Sequence, residues 1–244
     1  MSLLRLESVT LSYRRGRQRQ ELLRGASLTV EPNKFVSVYG GRASGKTALL
    51  RIAGGYERPD GGRVTFAGTD LVNLAPARLA RIHRGEIGWV DQTGPNSNEL
   101  DVGTYVALPF YGQCGPRKAR RMALAALDAV GMAGYGERTW DELPDVARVL
   151  CAIAHAMARR PKLLIADDPT AGLGILDRER VCGTLRRLAD DDGLGVLMAV
   201  PDMPSMLHAH DVHLLSRGHL LAATDTPSDG DAPRHGLSGD RRLA

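Results

Sequence analysis

The chain's 244 residues suffice for one large α/β domain or two small ones with a sizeable core. A net charge of +4 over that length does not mark a nucleic-acid partner, and 5% aromatic residues leave few platforms for stacking single-stranded bases. Cys114, Cys151 and Cys182 are odd in number, widely spaced and form no CxxC pair, so neither a disulfide framework nor a cysteine-ligated zinc site is expected, and a reducing compartment fits.

In chain order, MSLLRLESVTLSY alternates as a strand does and lacks the apolar core of a signal peptide. Residues 4–13 and 21–30 read as strands joined by a charged turn at 14–20, whose Arg14, Arg15, Arg17 and Arg19 are expected to face water. Residues 34–39 form a short buried strand that runs into GGRASGKTALLRIAGG, a glycine-rich turn opening a helix ended by Gly54 and Gly55. Strands follow at 63–71 and 86–92. The polar stretch TGPNSNELDVG then leads into mainly helical sequence over 105–160, with Pro116 suited to a helix start and Gly131 to its end.

The run LLIADDPTAGLG reads as a buried parallel strand that delivers Asp167 and Asp168 to one point. Two adjacent carboxylates at a strand end call for a cation, or for acid–base work, to justify their desolvation. The plainer reading is a turn started by Asp168-Pro169 with Asp167 capping it. A helix over 177–189, a strand over 195–200 and a hairpin over 212–222 complete the pattern, and residues 223–244, rich in Asp, Gly, Pro and Ser, are expected to form a disordered tail. The longest stretch of low polarity, 149–158, is far shorter than a bilayer span, so spans would have to come from another polypeptide. Strands that alternate with helices, and a helical stretch between two halves, predict a parallel sheet with an inserted helical subdomain.

Gly40-Gly41-Arg42-Ala43-Ser44-Gly45-Lys46-Thr47 satisfies G-x-x-x-x-G-K-[ST], with a strand before it and a helix after it. Backbone N–H groups and the helix N-terminus would cradle phosphates, Lys46 would neutralise their charge and Thr47 would ligate Mg²⁺. In such proteins a second strand ends in an aspartate that holds Mg²⁺, and Asp167 fits that role. Asp168 is then left to act on the attacking water.

Over residues 3–222 the sequence resembles the nucleotide-binding subunits of ABC transporters, within them the lipoprotein-export and macrolide-export type. The likeness rests on LRGASLTVEPNKFVSVYG, GGYERPDGGRV and ARRPKLLIADDPT, in the family's order and spacing. It implies a P-loop NTPase core of α/β class with an N-terminal antiparallel β subdomain and a helical subdomain at about 93–160, all within one domain over 1–222. It also implies ATP and Mg²⁺ as cofactors, Tyr13 stacked on adenine, and Gln92 coupling the nucleotide site to the membrane subunit and touching the metal. The implied partners are an integral membrane subunit and a second nucleotide-binding subunit in a homo- or heterodimer. The implied location is cytoplasmic, peripheral on the inner face of the cell membrane.

Several positions depart from the family's pattern. The signature LSGGQ, which closes over the partner's ATP in the dimer, falls on Leu143–Ala147, where the sequence is LPDVA. Pro144 brings no hydroxyl or N–H, and Asp145 and Val146 replace glycines that permit close approach. A carboxylate about 4 Å from a phosphate charge costs roughly 4 kcal/mol before screening at an effective dielectric near 20. Pro144-Asp145 makes a good helix start, with the expectation that this helix head holds its own carboxylate rather than a partner's ATP.

Asp168 stands where the family has a catalytic glutamate, one methylene shorter, and a retreat of about an ångström can cost roughly 100-fold in rate. Pro201 occupies the place of a switch histidine, and Gly174 that of an aspartate reaching across the dimer. Ala43 replaces an inner glycine of the P-loop, and Ala48 a hydroxyl residue that would reach the α-phosphate. His208 and His210 are expected as surface residues of the next helix. After Gln92, the polar Pro95-Asn96-Ser97-Asn98 replaces apolar residues that line the docking groove for the membrane subunit.

Three functions fit these residues: an ATP-binding switch or scaffold with weak or absent hydrolysis, a slow ATPase using Asp168, or a docking module indifferent to nucleotide. The retained Lys46, Thr47 and Asp167 favour the first over the third.

Overall fold

A computed structural model describes residues 2–16, 18–90, 94–95 and 100–222. The chain opens with β1 (Leu4–Arg15) and β2 (Gln18–Val30), an antiparallel hairpin in which Tyr13 pairs with Gln20 and Arg14 with Arg19. Both strands outrun the expected boundaries, and the charged segment read as a turn over 14–20 is mostly strand. Arg19 is held there by Ser12, whose Oγ accepts from its Nε at 2.8 Å, and by Asp60 at 3.5 Å.

Next, β3 (Phe35–Tyr39) feeds the P-loop and α1 (Lys46–Ala53). Then β4 (Gly61–Phe66) and β5 (Thr69–Asp70) complete a four-stranded antiparallel sheet of order β2-β1-β4-β5. A helix unread in the sequence, α2 (Pro76–Gly85), precedes β6 (Ile87–Val90). The insertion follows: α3 (Val102–Ala107), a 3-10 turn at Leu108–Phe110, α4 (Pro116–Ala129) and α5 (Asp145–Met157). Asp101 caps α3 by accepting the Thr104 N–H at 2.8 Å and receives Arg120 of α4 at 2.5 Å, which ties the two helices.

The chain returns through β7 (Leu163–Asp167), α6 (Ile175–Asp192), β8 (Gly195–Val200), the single-turn α7 (Met203–Met206) and the hairpin β9 (Asp211–Ser216) and β10 (His219–Ala222). The second sheet has order β10-β9-β3-β8-β7-β6, parallel throughout except for β10.

Period-2 alternation divides the core in two. On β7, Leu163 and Ile165 face one side, among α1 and the antiparallel sheet. Leu164 and Ala166 face the other, among the inserted helices and α6. On β8, Leu197 and Ala199 join the first group, and Val196, Met198 and Val200 the second. Helix α1 is therefore clamped between the two sheets by Leu49, Leu50 and Ile52, each worth roughly 2 kcal/mol of buried apolar surface.

His210 departs from expectation. Helix α7 ends after one turn, and the chain must re-enter the sheet at Asp211, so His210 lies just ahead of β9, beside β3, and not on a helix. Its Nδ1 accepts the Phe35 N–H at 2.9 Å, its Nε2 lies 3.0 Å from Asp190 Oδ1, and its side chain is only 14% exposed. Among the described residues, no helix is long and apolar enough to cross a membrane.

Candidate functional site

The P-loop follows from its backbone demands. A Cβ on Gly40 would fall 2.5 Å from Ser44 Oγ and 2.7 Å from the Leu215 carbonyl, so only glycine fits. Gly45, at φ 104, turns the chain into α1 from a conformation that L side chains avoid. Ala43 holds a left-handed backbone as well, at φ 61, with a Cβ that this region penalises. The first turn of α1 carries no acidic residue, so its unpaired N–H groups and the positive end of its dipole meet no carboxylate of their own.

Lys46 is buried, donating from Nζ to the Gly40 carbonyl at 2.8 Å and lying 3.5 Å from Asp168 Oδ2. Thr47 is exposed beside it, whereas Ala48 is 6% exposed and packs into the core behind the loop.

Asp167 ends β7 and pairs in register with Ala199 of β8, while Tyr39 ends β3 opposite Val200. The P-loop strand and the aspartate strand thus flank β8, and all three carboxyl ends open on the same side. Asp168 takes a left-handed backbone, φ 45, and its N–H donates to the Ala199 carbonyl at 3.2 Å. Burial pushes its carboxyl above the ordinary value of 3.8, Lys46 opposes this, and the charges of Asp167 and Asp202 add to the rise. Pro201 follows β8 directly. Asp202 caps α7 through the Ser205 N–H at 3.0 Å and pairs with Arg178, whose Nε donates to the Leu173 carbonyl at 2.7 Å.

Tyr13, Arg42, Ala43, Ser44, Gly45, Lys46, Thr47, Ala48 and Asp168 line one cleft of about 510 Å³. Tyr13 is 45% exposed at its rim, and its hydroxyl donates to Glu57. Gln20, Leu22 and Arg51 also line the cleft and were not singled out in the sequence. Arg51 lies four residues after Thr47 on α1, a spacing that puts both on one helix face. Gln92 lies outside the described residues, as do Asn96, Ser97 and Asn98.

The residues at hand suit a magnesium–phosphate group. Asp167 Oδ1 and Ser44 Oγ are buried and have no hydrogen-bond partner among the described residues. An orphaned carboxylate oxygen, the exposed Thr47 hydroxyl and a cradle of N–H groups are of the hard-oxygen and anion-binding kind that such a group requires, although Asp167 itself is not among the residues lining the cleft.

Leu143 to Ala147 do not line this cleft; they head α5 in the insertion. Pro144 is the N-cap residue and contributes no side-chain cap, and Asp145 opens the first turn. The Asp145 carboxylate stands in the first turn of its own helix without capping it through a hydrogen bond. It is 80% exposed and lies 3.5 Å from Arg148, which offers a charge partner one turn along.

The sequence pattern of the family described as "ABC transporter" matches residues 23–171. The chain is 32% identical over 219 residues to the lipoprotein-releasing system ATP-binding protein LolD of Hyphomonas neptunium, covering 89% of this chain and 96% of that protein. It is 31% identical over 205 residues to the macrolide export ATP-binding/permease protein MacB of Syntrophobacter fumaroxidans, covering 83% of this chain but 29% of that longer protein. Among solved structures, the dimeric ABC transporter cassette MJ0796 superposes with a TM-score of 0.80 at 26% identity, over 89% of this chain and 96% of that one. Its cassette fold has the same antiparallel β subdomain and helical insertion. With a P-loop, a strand-end aspartate and this architecture in one chain, the protein belongs to the ABC transporter family as an ATPase-domain cassette.

Proposed function

We propose that this cassette binds Mg-ATP and hydrolyses it slowly or not at all, serving as a nucleotide-dependent switch for an integral membrane subunit. It would pair with a second cassette, in a homo- or heterodimer, on the cytoplasmic face of the cell membrane. Relatives named for lipoprotein release and macrolide export support a membrane partner. So does a groove of about 460 Å³ between β6, α2 and the insertion, lined by Tyr56, His83, Trp89, Leu108 and Pro109.

One observation carries the reading: a P-loop that keeps Lys46 and Thr47 coexists with an exposed carboxylate, Asp145, at the helix head that would face a partner's nucleotide. Thr47 and Asp167 would hold Mg²⁺, with Gln92 as the further ligand the family resemblance implies, and the ion would neutralise phosphate charge there. Lys46 would exchange its bond to the Gly40 carbonyl for a phosphate oxygen. Pro201, at the end of β8, can neither donate to that phosphate nor relay a proton.

A slow ATPase is favoured by a different observation. Burial raises the Asp168 carboxyl, the direction that readies a general base. Incubation of the purified chain with γ-labelled Mg-ATP separates the two readings. Intact labelled ATP recovered on the protein supports the switch. Release of labelled phosphate over several turnovers makes Asp168 a working base and overturns the switch reading.

A further inference from the structure

We infer that Glu57 is a positioning residue for nucleobase stacking, holding the Tyr13 ring at a set distance from the phosphate cradle. The inference rests on the proposal above that the cleft takes ATP with its base against Tyr13. The Tyr13 hydroxyl donates to Glu57 Oε1, and Glu57 Oε2 lies 3.4 Å from Arg51 Nε. Arg51 belongs to α1, the helix whose N-terminus builds the P-loop site, and lines the same cleft as Tyr13. The backbone repeats the link, since the Arg51 carbonyl accepts the N–H groups of Tyr56 at 2.7 Å and Glu57 at 3.2 Å. A continuous path of Tyr13, Glu57 and Arg51 therefore joins the ring at the rim to the helix at the phosphates.

The plainer reading is that Tyr13–Glu57 merely ties the β1–β2 hairpin to the turn before β4. That tie already exists without it. The Asp60 N–H donates to the Thr10 carbonyl at 2.8 Å, Ser12 Oγ donates to Asp60 Oδ2 at 2.5 Å, and Arg19 pairs with Asp60. What Glu57 adds is orientation of a ring that is 45% exposed. A stacking platform ordered before binding spares the ligand that ordering cost.

The test is calorimetric titration of the full chain with Mg-ATP and, separately, with inorganic tripolyphosphate. Glu57→Ala should weaken ATP binding by about five-fold, the loss of one ordering contact, and leave tripolyphosphate unchanged. Tyr13→Phe should show the same loss, the double variant should lose no more than either alone, and Glu57→Gln, which keeps an acceptor oxygen, should retain most of the affinity. Equal weakening of both ligands by Glu57→Ala, or unchanged ATP affinity in Tyr13→Phe, overturns the inference. If Tyr13→Ala leaves ATP affinity intact, base stacking itself is wrong. A wild-type chain that takes neither ligand overturns the ATP-binding proposal beneath it.

Discussion

Lys46 Nζ lies 3.5 Å from Asp168 Oδ2 while donating to the Gly40 carbonyl at 2.8 Å. The ammonium that phosphates would recruit is thus engaged by its own cleft, and the carboxylate that engages it is the candidate base. A phosphate entering the cleft has to displace Asp168 from Lys46 and then lie close to its charge.

Asp168→Asn should therefore tighten binding of Mg-ATP and stabilise the free chain at neutral pH. The sign follows from its raised carboxyl, of which burial is the main cause. Above 3.8 the native chain holds this proton more tightly than the unfolded chain, so stability falls as pH rises from there through the raised value. Thermal unfolding from pH 4 upward should show the wild type losing ground to the variant as pH rises. Parallel curves would contradict it.

Ala43 offers a cleaner measure of strain. Its left-handed φ of 61 carries a Cβ that glycine lacks. Ala43→Gly should stabilise the chain by about 0.5–1 kcal/mol in urea unfolding, the left-handed penalty less the entropy glycine loses on folding. A destabilised variant would mean that the Ala43 methyl makes a contact worth more than the strain.

Asp101 anchors the insertion by capping α3 and receiving Arg120. Burial alone would raise its carboxyl, but the Thr104 N–H and Arg120 outweigh burial and hold it below the ordinary value. Asp101→Ala should cost about 2 kcal/mol at pH 7, a lost cap plus a charge-assisted bond. The contribution is full above the ordinary carboxyl value and is lost as pH falls through the lowered one, so wild type and variant should converge in acid.

Asp145→Gly should promote ATP-dependent association of two copies, because on the proposed reading it removes a carboxylate from the helix head that would face the partner's nucleotide. Light scattering with and without Mg-ATP reads this directly. Association that is weaker in the variant would count against a repulsive role for Asp145.

The P-loop and the aspartate strand were legible because their chemistry is local. A glycine-rich turn between strand and helix, or an apolar run ending in carboxylates, states its own requirement. Helix α2 was not legible. Pro76 stands at its first position, but Ala75 before it offers no capping side chain, and its apolar face is short, with only Ile82 buried and Leu79 packed partly beside it. The hairpin's length was hidden for another reason: the charge on Arg19 is met by Asp60, far along the chain. His210 likewise answers a need at Phe35, whose N–H has its partner 175 positions away. Sequence patterns report what a segment requires of itself, not what a distant segment requires of it.

The placement of β8 between the strand that feeds the P-loop and the strand that ends in Asp167 makes it a gauge block. Two inter-strand spacings, roughly 9.6 Å, separate those two strands, and the hydrogen-bond ladder holds that interval rigidly. The interval is set in the sheet and not in either loop. Thickening β8 at Ala199, which is fully buried and in register with Asp167, would detune the cleft from behind without touching any group that meets a ligand.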